Sequence, residues 1–246
     1  MAFGATHRAG GYAQGRYQRG LRNWRSRSRP LLALFLGPFL LGGLVGLVVE
    51  RNVAAWIAGA AFGVGLGMWM VLRDSPPAYV ENWQVGAEGE RKTAKALARL
   101  DRSRWLVVHD VPCARGNYDH VGVSRAGVFL LETKNLQGTV EIRDGVPRLR
   151  RRLDPQADNP CPWVRSNALA SAAALKAEIQ QMTGHPLWVQ AVVVLWSDFK
   201  EGVYEDERCV VVHGSRLRDW ISGRSDELDE KAAGEIAAAV RVIANR

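Results

Sequence analysis

Two apolar runs separated by three residues constrain this chain more than any other feature. Leu31 to Val49 is a run of 19 uncharged, mostly apolar residues, and Val53 to Leu72 is a second run of 20. A helix needs roughly 20 such residues to cross the hydrocarbon core of a bilayer. Only Glu50-Arg51-Asn52 lies between the runs, so the sequence predicts two transmembrane helices, 31–49 and 53–72, in a tight hairpin. Pro38 and the glycines are tolerable in such helices. Gly59, Gly63 and Gly67, at four-residue spacing, could form a close helix–helix face. A cleaved signal peptide is the competing reading. The long basic region before the first run, the length of that run and the second run directly after it favour a retained hairpin.

Charge divides the chain at the same place. Residues 1–30 carry seven arginines (Arg8, Arg16, Arg19, Arg22, Arg25, Arg27, Arg29) and no acid, whereas residues 73–246 carry 25 bases against 24 acids. The formal net charge of +8 therefore belongs almost wholly to the N-terminal arm and does not mark a basic nucleic-acid-binding domain. Gly, Arg, Ser and Tyr dominate the arm, which is expected to be disordered over 1–30. Its arginines should hold it in the cytoplasm, and two spans return the chain to that side. Trp24, Trp56 and Trp69 suit membrane borders. Cys113, Cys161 and Cys209 form no CxxC pair, which argues against structural zinc and for a reducing compartment.

Residues 73–80, with Ser75-Pro76-Pro77, read as a linker to a domain over 81–246. A helical stretch runs from Glu81 to Leu100 on the apolar stripe Ala87, Ala94, Leu97, Ala98 and Leu100. Strands are expected at 105–111, 118–123, 128–133, 139–143 and 147–153, then a loop over 154–162. A helix over 164–182, a buried strand at 188–196, a strand at 209–212 and helices near 217–221 and 227–244 complete the pattern. This predicts an α/β fold, a mixed sheet flanked by helices.

The chemistry concentrates in a hairpin. If Ser124-Arg125-Ala126-Gly127 is the loop, Val123 pairs with Val128. Continuing that register sets Asp119 opposite Glu132, and Lys134 shares their face. Facing carboxylates repel unless a cation lies between them, and hard cations take oxygen ligands of this kind. An ion pair with Lys134 at a sheet end is the plain alternative. Gly86-Ala-Glu88-Gly-Glu90 precedes the hairpin. Its glycines would permit close packing on the sheet, letting Glu90 reach the same cleft, while Glu88 complements the helix dipole.

The strings Gly86-x-x-Gly89-Glu90, His109-Asp110-Val111, Gly116-Asn117-Tyr118-Asp119-His120-Val121 and Gly127-Val128-Phe129-Leu130-Leu131-Glu132-Thr133-Lys134-Asn135-x-x-Gly138 resemble the nuclease-related domain, NERD. That family belongs to the PD-(D/E)XK restriction-endonuclease-like superfamily. The resemblance covers roughly residues 80–200 and is strongest over 86–138. It departs from the family at Asn159-Pro160, where Cys-Pro-Trp-Val-Arg-Ser follows and the usual glutamine does not appear.

The resemblance implies a restriction-endonuclease-like fold and a metal-dependent phosphodiesterase. Asp119 and Glu132 would hold Mg²⁺ or Mn²⁺, with the Thr133 carbonyl and Glu90 as further ligands. Lys134 would activate water and meet the charge developing on the phosphate. The substrate would be nucleic acid, DNA ahead of RNA, cut at the cytoplasmic face of the inner membrane by a multi-pass protein with both termini inside. The alternatives are a catalytically silent nucleic-acid or protein-binding module on the same fold, and a plain membrane scaffold. His109 and His120 flank the site as structural histidines, and His185 and His213 have no partner in the pattern. The run Arg148 to Arg152 suits either a phosphate backbone or a solvated edge strand.

Overall fold

The computed structural model describes residues 9–49, 53–114, 116–151 and 154–246. It divides into two compact units: Gln14–Gln84, and Val85–Arg246 together with the segment ending at Ala13.

Both apolar runs are helical. Helix α1 (Gly11–Val49) ends where the first run ends, and α2 (Val53–Asp74) begins where the second begins. The turn at residues 50–52 lies outside the described residues. Among the described residues no helix is long and apolar enough to cross a membrane, so the expected transmembrane hairpin finds no support there. Most side chains of 31–58 fall outside that description. Among the described residues, Gly59, Gly63 and Gly67 have open space where a Cβ would be and show no close helix face, whereas Gly65 meets the Cβ of Phe39 at 3.6 Å.

The arm departs further from expectation. It is helical from Gly11 onward rather than disordered. Packing accounts for this. A Cβ on Gly20 would touch Val80 at 3.4 Å, and the Arg16 guanidinium lies 5.0 Å from the centre of the Trp83 ring. The linker is also shorter than 73–80. Pro77 sets the start of α3 (Ala78–Leu97), accepting from the Val80 amide at 2.8 Å, as proline does at a first helical turn.

The second unit is a mixed α/β fold. Its strands are β1 (Leu106–Cys113), β2 (Gly116–Ser124), β3 (Gly127–Lys134), β4 (Thr139–Arg143), β5 (Val146–Arg151), β6 (Asp154–Pro160), β7 (Val189–Leu195), β8 (Asp198–Phe199), β9 (Val203–Glu205) and β10 (Cys209–His213). Six form one sheet in the order β1-β2-β3-β7-β10-β9, parallel at β3/β7 and β7/β10 and antiparallel elsewhere. The other four form a second sheet in the order β6-β5-β4-β8. The helices are α4 (Trp163–Thr183), α5 (Leu217–Ser222) and α6 (Glu230–Ala244).

Period-two alternation builds the core. On β3, Val128 and Leu130 join one buried cluster with Leu175 of α4 and Ile236 of α6, while Phe129 and Leu131 join a second with Leu97 of α3 and Ile221 of α5. β7 does the same with Ala191, Val193 and Leu195 against Val192 and Val194, which explains its continuously apolar sequence. The stretch 154–160, expected as loop, is a strand. Its composition is that of a turn, but it pairs irregularly along the free edge of β5. Gly138, at φ +143°, lets the chain leave β3 for β4 where a Cβ would lie 2.1 Å from the Arg150 carbonyl oxygen.

Candidate active site

The hairpin has the expected register. Val123 pairs with Val128 and His120 with Leu131, but the turn is tighter than four residues, because Ser124 also pairs with Gly127. The paired ladder ends at His120, one step short of Asp119 and Glu132. There the Thr133 amide donates to Oδ2 of Asp119 at 2.8 Å. Glu132 and Lys134 continue the face of Val128 and Leu130 to the carboxyl end of β3, where open α/β sheets characteristically bind ligands. Lys134 Nζ lies 3.7 Å from Oε2 of Glu132, both side chains less than one-fifth exposed.

Thr133 points the other way, into the packing of α3. Its hydroxyl donates to Oγ1 of Thr93 at 2.9 Å, and the Trp196 indole donates to the same oxygen at 2.8 Å. Gly89 allows this approach: a Cβ there would meet Asn135 Cβ at 2.9 Å and Thr133 Cγ2 at 3.1 Å. Gly86, expected to serve the same packing, has open space instead. Because α3 begins at Ala78, Glu88 and Glu90 lie well inside the helix and do not complement its N-terminal dipole. Glu88 is exposed and pairs with Lys92 at 2.8 Å. Glu90 is 8% exposed.

The close packing brings Glu90 into the field of the sheet carboxylates. Burial, with the charges of Asp119 and Asp110 beside it, pushes Glu90 up to about 8, against a hydrogen bond from the Gly10 backbone and the charge of Lys134. Burial also raises Asp119 to about 6; Lys134 opposes the rise and Glu132 adds to it.

Asp110 is a member of this cluster that the sequence pattern did not assign, although it lies in one of the family strings. It occupies the unpaired position between His109↔His120 and Val111↔Tyr118, in register with Asp119. Val108 and Val111 of β1, and Tyr118 and Val121 of β2, all belong to one core cluster, so the alternation slips in both strands here. Asp110 takes up the slip with φ +50°. Its carboxylate accepts from the Gly11 amide at 2.6 Å, the Tyr12 amide at 3.3 Å and Asn117 Nδ2 at 2.9 Å.

The other histidines and the arginine run take structural places. His109 and His120 face each other, Nδ1 to Nδ1, at 2.8 Å, and burial lowers the pKa of both. His185 and His213 do have partners, Glu235 at 2.5 Å and the Ser215 hydroxyl at 2.7 Å. Arg148 pairs with Asp158 at 2.9 Å and Arg150 with Glu141 at 3.4 Å on the small sheet, while Arg152 lies outside the described residues.

Residues 85–196 match the family model of the nuclease-related domain, NERD. The NERD match begins in α3 and ends one residue past β7, so it takes in Glu90, Asp110, Asp119, Glu132, Thr133 and Lys134 together. No curated protein matches the chain, and no solved structure does.

The donor set within the matched residues suits a hard cation in one respect. Oε2 of Glu90 and Oε2 of Glu132 are buried without a hydrogen-bond partner, and a buried unpaired carboxylate oxygen is costly unless a cation or proton meets it. Among the described residues no three His, Cys, Asp or Glu side chains group closely enough to hold a metal by themselves. The carboxylates nearest to that role are Asp119 and Glu132 of the hairpin and Glu90 of α3, which feels the charge of Asp119.

Proposed function

We propose that the NERD region is a divalent-metal-dependent nuclease that hydrolyses phosphodiester bonds of nucleic acid, DNA ahead of RNA. One observation carries this reading: two buried carboxylate oxygens, on Glu90 and Glu132, accept no hydrogen bond, and the charges of Asp119 and of Lys134, the cation 3.7 Å from Glu132, act on the same group of acids.

Asp119 and Glu132 would hold Mg²⁺ or Mn²⁺, with the Thr133 carbonyl and Glu90 completing the oxygen set. The bound ion would supply a Lewis acid that makes water more acidic and draws charge from the phosphate. The chain does the positioning. The Thr133 amide fixes the Asp119 carboxylate, leaving its other oxygen for a ligand. Lys134, held near Glu132, offers N–H donors to the attacking water and to the oxygen on which charge develops. Glu90, whose pKa is raised to about 8 by burial and by Asp119 and Asp110, would hold a proton in the metal-free protein near neutrality and would release it to let its carboxylate meet a cation.

Residues 31–72, two apolar runs behind a seven-arginine arm, would attach the chain at the cytoplasmic face of the inner membrane. Exposed apolar side chains on α2, among them Trp56, Val64 and Met70, accord with it.

The test is incubation of the full chain with end-labelled single- and double-stranded DNA and RNA in Mg²⁺, Mn²⁺ or EDTA. Metal-dependent cleavage that Lys134→Ala abolishes supports the nuclease. A folded wild type that cuts none of them favours the silent binding module.

A further inference from the structure

We propose that Trp163 is a stacking platform for an unpaired nucleobase beside Lys134, and that the site therefore takes single-stranded or locally unpaired nucleic acid. The inference rests on the nuclease reading and specifies its substrate.

Three observations carry it. The first is placement. Trp163 is the first residue of α4, on the sheet face that carries Glu132 and Lys134, and its ring centre lies 6.0 Å from Lys134 Nζ. It lies in the Cys-Pro-Trp-Val-Arg-Ser stretch that follows Asn159-Pro160, where no glutamine appears.

The second is exposure on a rigid mount. The side chain is 45% exposed. Its neighbours are anchored: the Cys161 amide donates to the Pro147 carbonyl at 2.8 Å, and Val164 is fully buried in the core. Pro160 and Pro162 stiffen the approach. Trp188, Trp196 and Trp220 each give their indole N–H to an acceptor, whereas Trp163 has none among the described residues. An exposed, preorganised indole offers a face on which any base can stack, with little ordering cost.

The third is charge. Residues 73–246 carry almost equal numbers of bases and acids. Arg143, Arg148 and Arg150, the arginines of the small sheet's polar face, are paired with Glu141 and Asp158. Duplex binding draws its affinity chiefly from neutralised phosphates, and a domain with almost as many acids as bases has little net charge for that. Stacking supplies affinity without net charge, and it requires bases that are not already stacked in a duplex.

The experiment uses the full chain and one oligonucleotide sequence, as a single strand and as a duplex. Binding is measured in EDTA and cleavage in Mg²⁺. Trp163→Ala is expected to weaken single-strand binding about 5- to 150-fold. Trp163→Phe should keep most of it. Trp188→Ala, an exposed tryptophan at the opposite end of β7, should bind as wild type does, and Lys134→Ala should lose cleavage but keep the Trp163-dependent binding. Unchanged single-strand binding by Trp163→Ala would overturn the inference, as would equal losses on single strand and duplex. A wild type that binds and cuts only duplex also overturns it but leaves the nuclease standing. A wild type that neither binds nor cuts overturns both.

Discussion

The amide of Gly11 donates to Oδ2 of Asp110 at 2.6 Å across 99 residues of sequence. The Tyr12 amide supports the same oxygen, and the backbone of Gly10 serves Glu90. The segment ending at Ala13 thus supplies main-chain donors to two acids in a cluster that is short of cations. Gly10 fits this path at φ +78°, where a Cβ would crowd the Ala87 carbonyl at 3.0 Å.

Removal of residues 1–13 should therefore weaken the unit Val85–Arg246, although the family match begins only at residue 85. An abandoned buried acceptor costs about 1–3 kcal/mol. Thermal melts of the shortened and full chains measure the loss. The same deletion in an Asp110→Ala background should cost less, because the acceptor is already gone. Equal losses in both backgrounds would show that the segment does not act through Asp110.

Glu90 and Asp119 set the pH response of the metal-free protein. Both carboxyls are raised above their ordinary values, Glu90 to about 8 and Asp119 to about 6. A raised carboxyl contributes stability that is present in full below its unfolded pKa and is lost as pH climbs through its folded value. In EDTA the stability contributed by this pair should fall between about pH 4 and 8. Glu90→Gln removes the larger part. Relative to wild type, its melting temperature should be unchanged near pH 4 and higher by roughly 3–8 °C at pH 8.5. A difference independent of pH would mean that Glu90 is not held protonated by its surroundings.

Asp119→Asn keeps the shape of the side chain, including an oxygen that can accept from Thr133, and removes one charge from the cluster. Without metal it should melt at or above the wild-type temperature. It should lose most of the stabilisation by Mg²⁺, which amounts to about 2.7 kcal/mol at a hundred times the dissociation constant. Melts across a Mg²⁺ titration decide this. A weakened mutant and a wild type indifferent to Mg²⁺ would make Asp119 a structural partner of Lys134. In the same series Lys134→Ala should cost on the order of 10²–10³-fold in cleavage rate. Its Glu132 pair is loose but mostly buried, so the substitution should also cost stability, up to about 3–5 kcal/mol, and the melts of the same series separate that loss from the loss of rate.

The membrane proposal is tested by topology. With the arginine arm inside and two spans, single-cysteine labelling from outside intact cells should modify position 52 alone. Labelling at position 5 or 240 would remove the hairpin reading.

The register of β2 and β3 was legible because a pleat of period two and a four-residue turn signal leave one solution; the Val123–Val128 pair follows from them. Burial of β7 was legible from its unbroken apolar run. β6 was not, because Asp154 to Pro160 has the composition of a turn and becomes a strand only through the edge of β5. The arm's helix was hidden by glycine and arginine, which carry no apolar period. Asp110 was hidden more deeply. Its role depends on a bend at φ +50° and on donors almost a hundred residues away, and neither leaves a local pattern.

The two glycines of α3 give the sharpest check on how Glu90 reaches the sheet. In a helix interior, Gly→Ala gains up to about 1 kcal/mol from propensity alone. At Gly86 nothing lies within 4 Å of the added methyl, so Gly86→Ala should stabilise by roughly that amount. At Gly89 the methyl would meet Asn135 at 2.9 Å, just past the strand that carries Glu132 and Lys134, and Thr133 on that strand at 3.1 Å. Relieving that contact means lifting α3 from β3, and overpacking of this kind costs about 1–3 kcal/mol. Gly89→Ala should thus lower the melting temperature where Gly86→Ala raises it. It should also lower cleavage, since Glu90 moves with the helix. If both substitutions stabilise, α3 does not press on the sheet at Gly89, and Glu90 does not owe its place among the carboxylates to that contact.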